Sequence, residues 1–316
     1  PGAEKELTRA LDAGYSADEV VPILAKTLLA SGQGDKIDSL LTSRQLKQPE
    51  ARAALLTTQG LDLLGRGKRE EGAAALNAAL KESPGYALAR VGLARTRALG
   101  RDLEGALADV DGVLKEAPKL AEANSLRGDI LLVLNRLDEA VSAYEAVIAE
   151  KPTDVAAHQN LISVLLRQNK LEAAQAKVTD MRKALGGHPL AVYLQSYVNV
   201  RNGKTTEAYE GIQQVLRSAP DYVPAQLLAA TLQLQRQDFV QAQENLNKVI
   251  ARQPNLLLAR RLLVSTYVGM REPGRALEAL QPLLKDRSDD VGLLNLAGQV
   301  YAMNGDFARS EEYFGR

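Results

Sequence analysis

Arg127–Pro152 reads RGDILLVLNRLDEAVSAYEAVIAEKP. An apolar helical run stops at the polar turn Leu134-Asn135-Arg136, a second run follows, and Pro152 closes it. Working outward, Pro152 is preceded by Pro118 and Pro84 at intervals of 34, and Pro220 and Pro254 keep the register after one skipped beat at Gly186. Ala140 belongs to a second series in step, Ala106, Ala140, Ala174, Ala208, Ala242 and Ala276. Tyr144 belongs to a third, Leu76, Val110, Tyr144, Val178, Ile212, Leu246, Leu280 and Phe314. A fourth is Val113, Val147, Met181, Val215, Val249 and Leu283. A fixed period of this length is the signature of a stacked helical repeat.

Each series has a physical reason. Proline lacks the N–H that would continue a helical ladder, so it falls just past the second helix. The alanine lies early in that helix, where a small side chain lets two helices approach and a larger one would overpack. The apolar series follow at four and seven residues, on the same helical face. Arg66-Gly67-Lys68, Leu134-Asn135-Arg136, Asn202-Gly203-Lys204 and Asn304-Gly305-Asp306 are short polar turns, and Gly and Asn tolerate the left-handed backbone such turns need.

Composition narrows the function. The chain has 316 residues, 46% hydrophobic, with 39 basic and 39 acidic residues. That supports a continuous core and argues against a basic nucleic-acid-binding domain, so no nucleic-acid partner is expected. With no Trp and three Phe, the core must be built from Leu, Val, Ile and Ala. The absence of Cys excludes disulfides and thiolate metal sites but fits cytosol and periplasm equally. No apolar run of about 18 residues is present, so no membrane-spanning segment is expected.

These residues resemble the tetratricopeptide repeat, which carries small residues in both helices and Pro at the repeat end. Gly128, Ala140, Tyr144 and Pro152 fall on that signature, Gly60 and Gly298 match the small position of the first helix, and Ile162 and Val264 depart from it. The fold expected is all-α, a right-handed superhelical solenoid of antiparallel helix pairs. Residues 1–52 read as degenerate N-terminal repeats, an orphan second helix over 1–17 and an atypical repeat over 18–52. Seven repeats of 34 residues occupy 53–290, and 291–316 form a truncated C-terminal repeat. Starting within one repeat and stopping inside another, the chain is expected to be a piece of a longer array.

A finer resemblance rests on Ala13-Gly14-Tyr15-Ser16 with Asp18-Glu19-Val20 and Pro22, on Ser218-Ala219-Pro220-Asp221-Tyr222-Val223-Pro224-Ala225, and on Leu246-Asn247-Lys248-Val249 leading to Ala259-Arg260-Arg261-Leu262-Leu263. This phrasing is similar to the TPR-repeat lipoproteins of bacterial exosortase/PEP-CTERM exopolysaccharide systems. The resemblance implies an exported, periplasmic scaffold of polysaccharide export or surface-protein sorting, tethered by a lipid upstream of Pro1. A cytoplasmic TPR adaptor, and the substrate-selecting arm of a larger enzyme, are the alternatives.

The residues offer no catalytic constellation, cofactor motif or metal set. His158 falls on the packing side of a first helix, and His188 lies in the break Gly186-Gly187-His188-Pro189. Gly65-Arg66-Gly67-Lys68 lacks the spacing and preceding strand of a phosphate loop. Arg90, Arg95, Arg97 and Arg101 form a basic run, read as solvated or paired with acids such as Asp102 and Glu104.

Binding is the positive expectation, with protein or peptide segments as partners and an anionic polysaccharide as a further candidate. The family resemblance places outward residues of the first helices on the concave face. Carried over, these are Gln159, Ser163 and Arg167, then Tyr193, Tyr197 and Arg201, then Thr231 and Gln235, then Arg261 and Ser265, then Asn295 and Gln299. Tyr193, Tyr197 and Arg201 recur at i, i+4 and i+8 and share one helix face. Tyr and Arg are enriched at binding hot spots. The Lys/Asn clamp by which chaperone adaptors hold a C-terminal carboxylate is missing, since Thr57, Val91, Ser125, Gln159 and Leu227 occupy its Lys position.

Overall fold

The computed structural model describes residues 2–43, 45–284 and 290–316; positions 1, 44 and 285–289 lie outside them. All regular structure among the described residues is helical. The chain divides into two compact units, residues 1–169 and 170–316, and the division falls at the turn inside the 155–188 repeat.

In the first unit, α1 (Gly2–Asp12), α2 (Ala17–Ala30) and α3 (Gly34–Ser43) precede the pairs α4 (Pro49–Gly65)/α5 (Arg69–Glu82), α6 (Ala87–Leu99)/α7 (Leu103–Glu116) and α8 (Ala121–Val133)/α9 (Leu137–Glu150), and α10 (Val155–Arg167) follows. The second contains α11 (Leu171–Leu185) and the pairs α12 (Pro189–Arg201)/α13 (Thr205–Ser218), α14 (Val223–Gln235)/α15 (Phe239–Arg252), α16 (Leu257–Gly269)/α17 (Pro273–Leu284) and α18 (Val291–Met303)/α19 (Phe307–Gly315). From α6 on, each first helix begins 34 residues after the last.

Helix contact is set by small residues facing large ones. Ala106, Ala140, Ala174, Ala208, Ala242 and Ala276 are all fully buried. A Cβ added to Gly128 would lie 2.6 Å from Cε1 of Tyr144, and one on Gly60 would lie 2.7 Å from Cγ of Leu76. The glycine thus makes room for the large side chain four residues beyond the buried alanine position. Tyr144 fills that space completely and donates its hydroxyl to Asp129 Oδ1 at 2.9 Å. The series from Leu76 to Leu280 is buried throughout, but Phe314 is 52% exposed. Its ring covers Gly298, and α19 is the last helix of the chain.

The turns close the pairs in one way. The residue after each first helix's cap adopts positive φ: Gly67 at 77°, Arg101 at 68°, Asn135 at 60°, Asn169 at 57°, Gly203 at 73°, Gln237 at 62°, Arg271 at 57° and Gly305 at 77°. The next N–H then reaches back to the final turn, as Lys68 N to Leu63 O at 2.9 Å and Asp238 N to Gln233 O at 2.8 Å. This 6→1 bond of the Schellman type satisfies a carbonyl the helix cannot. Arg101, Gln237 and Arg271 carry a Cβ where the left-handed backbone disfavours one.

A second closure recurs between repeats. Six residues after the inter-repeat proline, a first-helix side chain donates to the proline carbonyl: Asn124 to Pro118 at 3.0 Å, Gln226 to Pro220 at 2.7 Å and Arg260 to Pro254 at 2.6 Å. His158 occupies the same register, with Nε2 2.9 Å from Pro152 O. Where Gly186 replaces proline, the matching residue is Val192, which has no polar group to offer.

Two outcomes are expected. Gln237→Gly should raise stability by about 0.5–1 kcal/mol, and Gly203→Gln should lower it by about 1 kcal/mol, both read from urea midpoints. Gly128→Ala should cost about 1–3 kcal/mol by overpacking, and adding Tyr144→Leu should recover part of that loss, giving a coupling of about 1 kcal/mol in the double-mutant cycle.

Candidate functional site

The first helices present their outward side chains to different fates. In the first unit, Gln159 and Ser163 stand exposed on α10, and Arg167 at its end donates to Asn135 Oδ1 at 2.8 Å, in the turn of the preceding repeat. Of the basic run Arg90, Arg95, Arg97 and Arg101, two residues on α6 are paired with acids. Arg90 pairs with Glu116 at 2.7 Å, and Arg97 pairs with Asp102 and with Asp109, each at 2.7 Å. Those two hydrogen-bonded carboxylates hold the Arg97 guanidinium even more firmly charged than usual. Burial lifts the Asp129 carboxyl above the ordinary carboxylate range, opposed by the Tyr144 hydroxyl and by Arg95.

In the second unit, Tyr193 and Tyr197 lie 6.4 Å apart between ring centroids on α12, but they are not equivalent. Tyr193 is half-buried and meets Tyr222 edge-on at 5.4 Å. Burial, followed by the neighbouring Tyr222 and Tyr197, pushes its hydroxyl up to about 12. Tyr197 is 37% exposed, and Arg201 is exposed at the helix end. The Thr231 hydroxyl is turned inward onto Leu227 O at 2.9 Å, while Gln235 is exposed.

Four of the expected residues converge. Arg261 and Ser265 on α16 and Asn295 and Gln299 on α18 line a groove of about 370 Å³, floored by Leu258, Leu262 and Leu296 and bounded by Gly292. Ser265, Asn295 and Gln299 hold no side-chain hydrogen bond to the described residues. Arg261 donates to Asp290 Oδ2 at 3.0 Å, while Asp290 Oδ1 caps α18 through Leu293 N at 2.8 Å. A side chain at Gly292 would collide with the Arg261 guanidinium, so this glycine lets the arginine lie along the groove. The floor was missed in the sequence, although Leu258 and Gly292 occupy the second, outward position of their repeats.

The histidines have structural partners. His158 is buried and faces the Pro152 carbonyl, so Nε2 must carry the proton. His188 Nδ1 accepts from Leu190 N at 3.2 Å and caps α12. No group of three or more His, Cys, Asp or Glu suited to a metal occurs among the described residues. In the Gly65–Lys68 turn, Arg66 pairs with Asp62 at 2.7 Å and Lys68 with Glu71 at 3.2 Å.

Two tetratricopeptide-repeat family models match this chain, one at residues 57–121, 101–155 and 261–316, the other at 131–196 and 200–264. Helix pairs of this register, closed by buried small residues, define a repeat scaffold, and the chain belongs to the tetratricopeptide-repeat family. It is 25% identical over 152 residues to a TPR repeat-containing protein of Pseudomonas aeruginosa, covering 48% of this chain and 26% of that protein. It is 25% identical over 158 residues to anaphase-promoting complex subunit 7 of Mus musculus, covering 50% and 28%. The matched stretch thus spans little more than a quarter of either relative. Among solved structures, the APC/C hetero-tetramer Cut9–Hcn1 matches with a TM-score of 0.63 at 16% identity, over 82% of this chain and 51% of that one. PilW, a type IV pilus biogenesis factor, matches with a TM-score of 0.56 at 19% identity, over 66% and 96%. Likeness at this level shows the fold. No described helix is long and apolar enough to cross a membrane.

The carbonyl clamp generates its own test. His158→Gln should keep a donor and lose less than about 1 kcal/mol, whereas His158→Leu should leave a carbonyl without its donor and cost about 1–3 kcal/mol. The comparison is made in urea by circular dichroism; equal losses would assign the histidine's role to packing alone.

Proposed function

We propose that this chain is a non-catalytic protein-interaction scaffold whose first-helix faces hold an extended segment of a partner. The observation that carries the reading is the contrast within the second unit. In α13, α15 and α17 the residues Ala208, Ile212, Ala242, Leu246, Ala276 and Leu280 are spent on packing, while Tyr197, Arg201, Arg261, Asn295 and Gln299 remain on the first-helix surface. Tyr supplies contact area at low entropic cost, and Arg fixes carboxylates through paired hydrogen bonds.

The setting we infer is an exported, lipid-tethered component of a bacterial polysaccharide-export or surface-protein sorting apparatus. Its support is the phrasing of residues 13–22, 218–225 and 246–263, which resembles the lipoproteins of those systems. In that setting an acidic polysaccharide is a second candidate partner, because Tyr197 offers a flat ring and Arg201 a planar donor.

The test is capture of partners from the cell-envelope and cytosolic fractions with the full-length protein, followed by titration of the captured partner. Partners should come from the envelope fraction. Tyr197→Ala combined with Arg201→Ala should weaken binding by about 2 kcal/mol or more with helicity intact. Unchanged affinity in the folded double variant would move the binding surface elsewhere, and capture from the cytosol alone would favour a cytosolic adaptor.

A further inference from the structure

The second unit has another groove, lined by none of the residues expected from the repeat register. It lies between α15 and α17 across α16 and holds about 390 Å³. Ile250, Leu263, Ala279 and Pro282 give it an aliphatic surface, and Arg260 and Glu278 add charge. Its α16 residues, Arg260, Leu263 and Tyr267, recur at i, i+3 and i+7 and form one stripe. Leu258, Arg261, Leu262 and Ser265, which line the first-helix groove, fall on the opposite side of that helix. The two grooves are therefore separate surfaces.

One end of the new groove is closed. Arg275 lies 4.4 Å over the Tyr267 ring, donates to its hydroxyl at 3.1 Å and pairs with Glu272 at 2.7 Å, so its charge is spent. The other end is open. Because α16 and α17 run antiparallel, Arg260, two turns before Tyr267, comes level with Pro282, two turns after Arg275. Arg260 gives its Nε–H to the Pro254 carbonyl at 2.6 Å, which fixes the guanidinium. Asn124 and Gln226 do the same task with a neutral amide. Arg260 brings a charge and further N–H groups, and none of these meets an acceptor among the described residues. Glu278, one turn before Pro282, likewise has no partner for its carboxylate among the described residues. Pro282 has no N–H to close on the Glu278 carbonyl, which leaves a second acceptor beside that carboxylate. The groove thus offers a fixed cation and, about 6 Å further along the helix axes, a pair of anionic and carbonyl acceptors, all unmatched within the chain.

We propose that this groove docks an amphipathic helix of a partner protein: a Glu of that helix lies on Arg260, a Lys one turn away meets Glu278 and its open carbonyl, and aliphatic side chains rest on Ile250, Leu263 and Ala279. A separation of one turn is the spacing of residues i and i+4 on a helix, so both charges can come from one face. The lining also selects against an extended chain. No Asn, Gln, Ser or Thr lines the groove, so an extended segment would bury backbone groups it cannot pair, whereas a helix satisfies its own. Opposite charges on the two walls disfavour a partner of a single sign, since either charge pattern would set one like pair together. The site is independent of the first-helix surface and stands or falls without it.

The probes are fluorescein-labelled, lactam-locked helices of about 18 residues with one Leu stripe and two test positions at i and i+4 beside it. The test positions carry Glu and Lys, Glu and Glu, Lys and Lys, or Gln and Gln. They are titrated by anisotropy against the whole 316-residue chain. The Glu/Lys helix should bind about fivefold tighter than each of the others, and the advantage should shrink with salt. Glu278→Lys, an exposed change, should reverse the order so that Glu/Glu binds tighter than Glu/Lys. Arg260→Gln keeps the clamp donor, as Gln226 does, and removes the charge, so Glu/Lys should lose its advantage over Lys/Lys while circular dichroism stays the same. Lys204→Gln, in the turn before α13, should change nothing. Equal binding of Glu/Lys and Gln/Gln, or no binding of any helix, would overturn the proposal. So would a folded Glu278→Lys chain that still prefers Glu/Lys. Equal affinity for a Glu/Lys peptide broken by two prolines would assign the groove to an extended segment and overturn the helix. None of these outcomes depends on Tyr197 or Arg201, so loss of this site leaves the first-helix reading to its own test.

Discussion

A chain that ends a helix every dozen or so residues must find partners for the carbonyls each end leaves open. That constraint shapes this molecule more than any single contact. Inside each pair the answer is a left-handed residue and a backbone N–H that folds back, as Lys68 does to Leu63. Between repeats a side chain from the next first helix holds the loop carbonyl just past the helix end, as Gln226 does for Pro220. Because that donor belongs to the following helix, the bond ties the loop that leaves one repeat to the first helix of the next. The 34-residue period is thus held by polar bookkeeping as well as by apolar packing.

Packing then uses the fixed register. Gly128 makes room for Tyr144, Gly60 for Leu76 and Gly298 for Phe314. The second helices satisfy the core with Ala, Leu, Val and Ile, which leaves the outer positions of the first helices with few structural duties. The groove at Arg261, Ser265, Asn295 and Gln299 exists because these positions are not needed to hold the stack together, apart from the bond from Arg261 to Asp290.

The fold was legible because its signals are coarse and repeated: a buried alanine or a proline stands out wherever it recurs. The left-handed position was visible where it is Gly67, Asn135, Gly203 or Gly305, and hidden where it is Arg101, Gln237 or Arg271, since a long polar side chain gives no sign of the backbone beneath it. The carbonyl clamp was hidden for another reason. Asn124, His158, Gln226 and Arg260 share a function but no chemical type, so no residue pattern unites them. The site was legible only by register. Helix spacing placed Tyr193 and Tyr197 on one face, but it could not show that Tyr222, from the next loop, closes over the first ring. Nor could it show which outward residues gather around a leucine floor.

The uneven occupancy of the left-handed turns has a mechanical consequence. Each turn is a hinge pin between two helices, and the pins are not equally strong. Gly67, Gly203 and Gly305 sit relaxed, whereas Arg101, Gln237 and Arg271 hold a disfavoured backbone at a cost of about 1 kcal/mol each. A filament of identical links parts at random under tension; one with graded links parts at its weakest. Two of the three strained pins lie in the second unit, at residues 237 and 271, and the second directly follows the helix that carries Arg261. Stretched between anchor points, the second unit would yield first at these two turns, so the place where the stack opens under load is set by which side chain stands at the left-handed position.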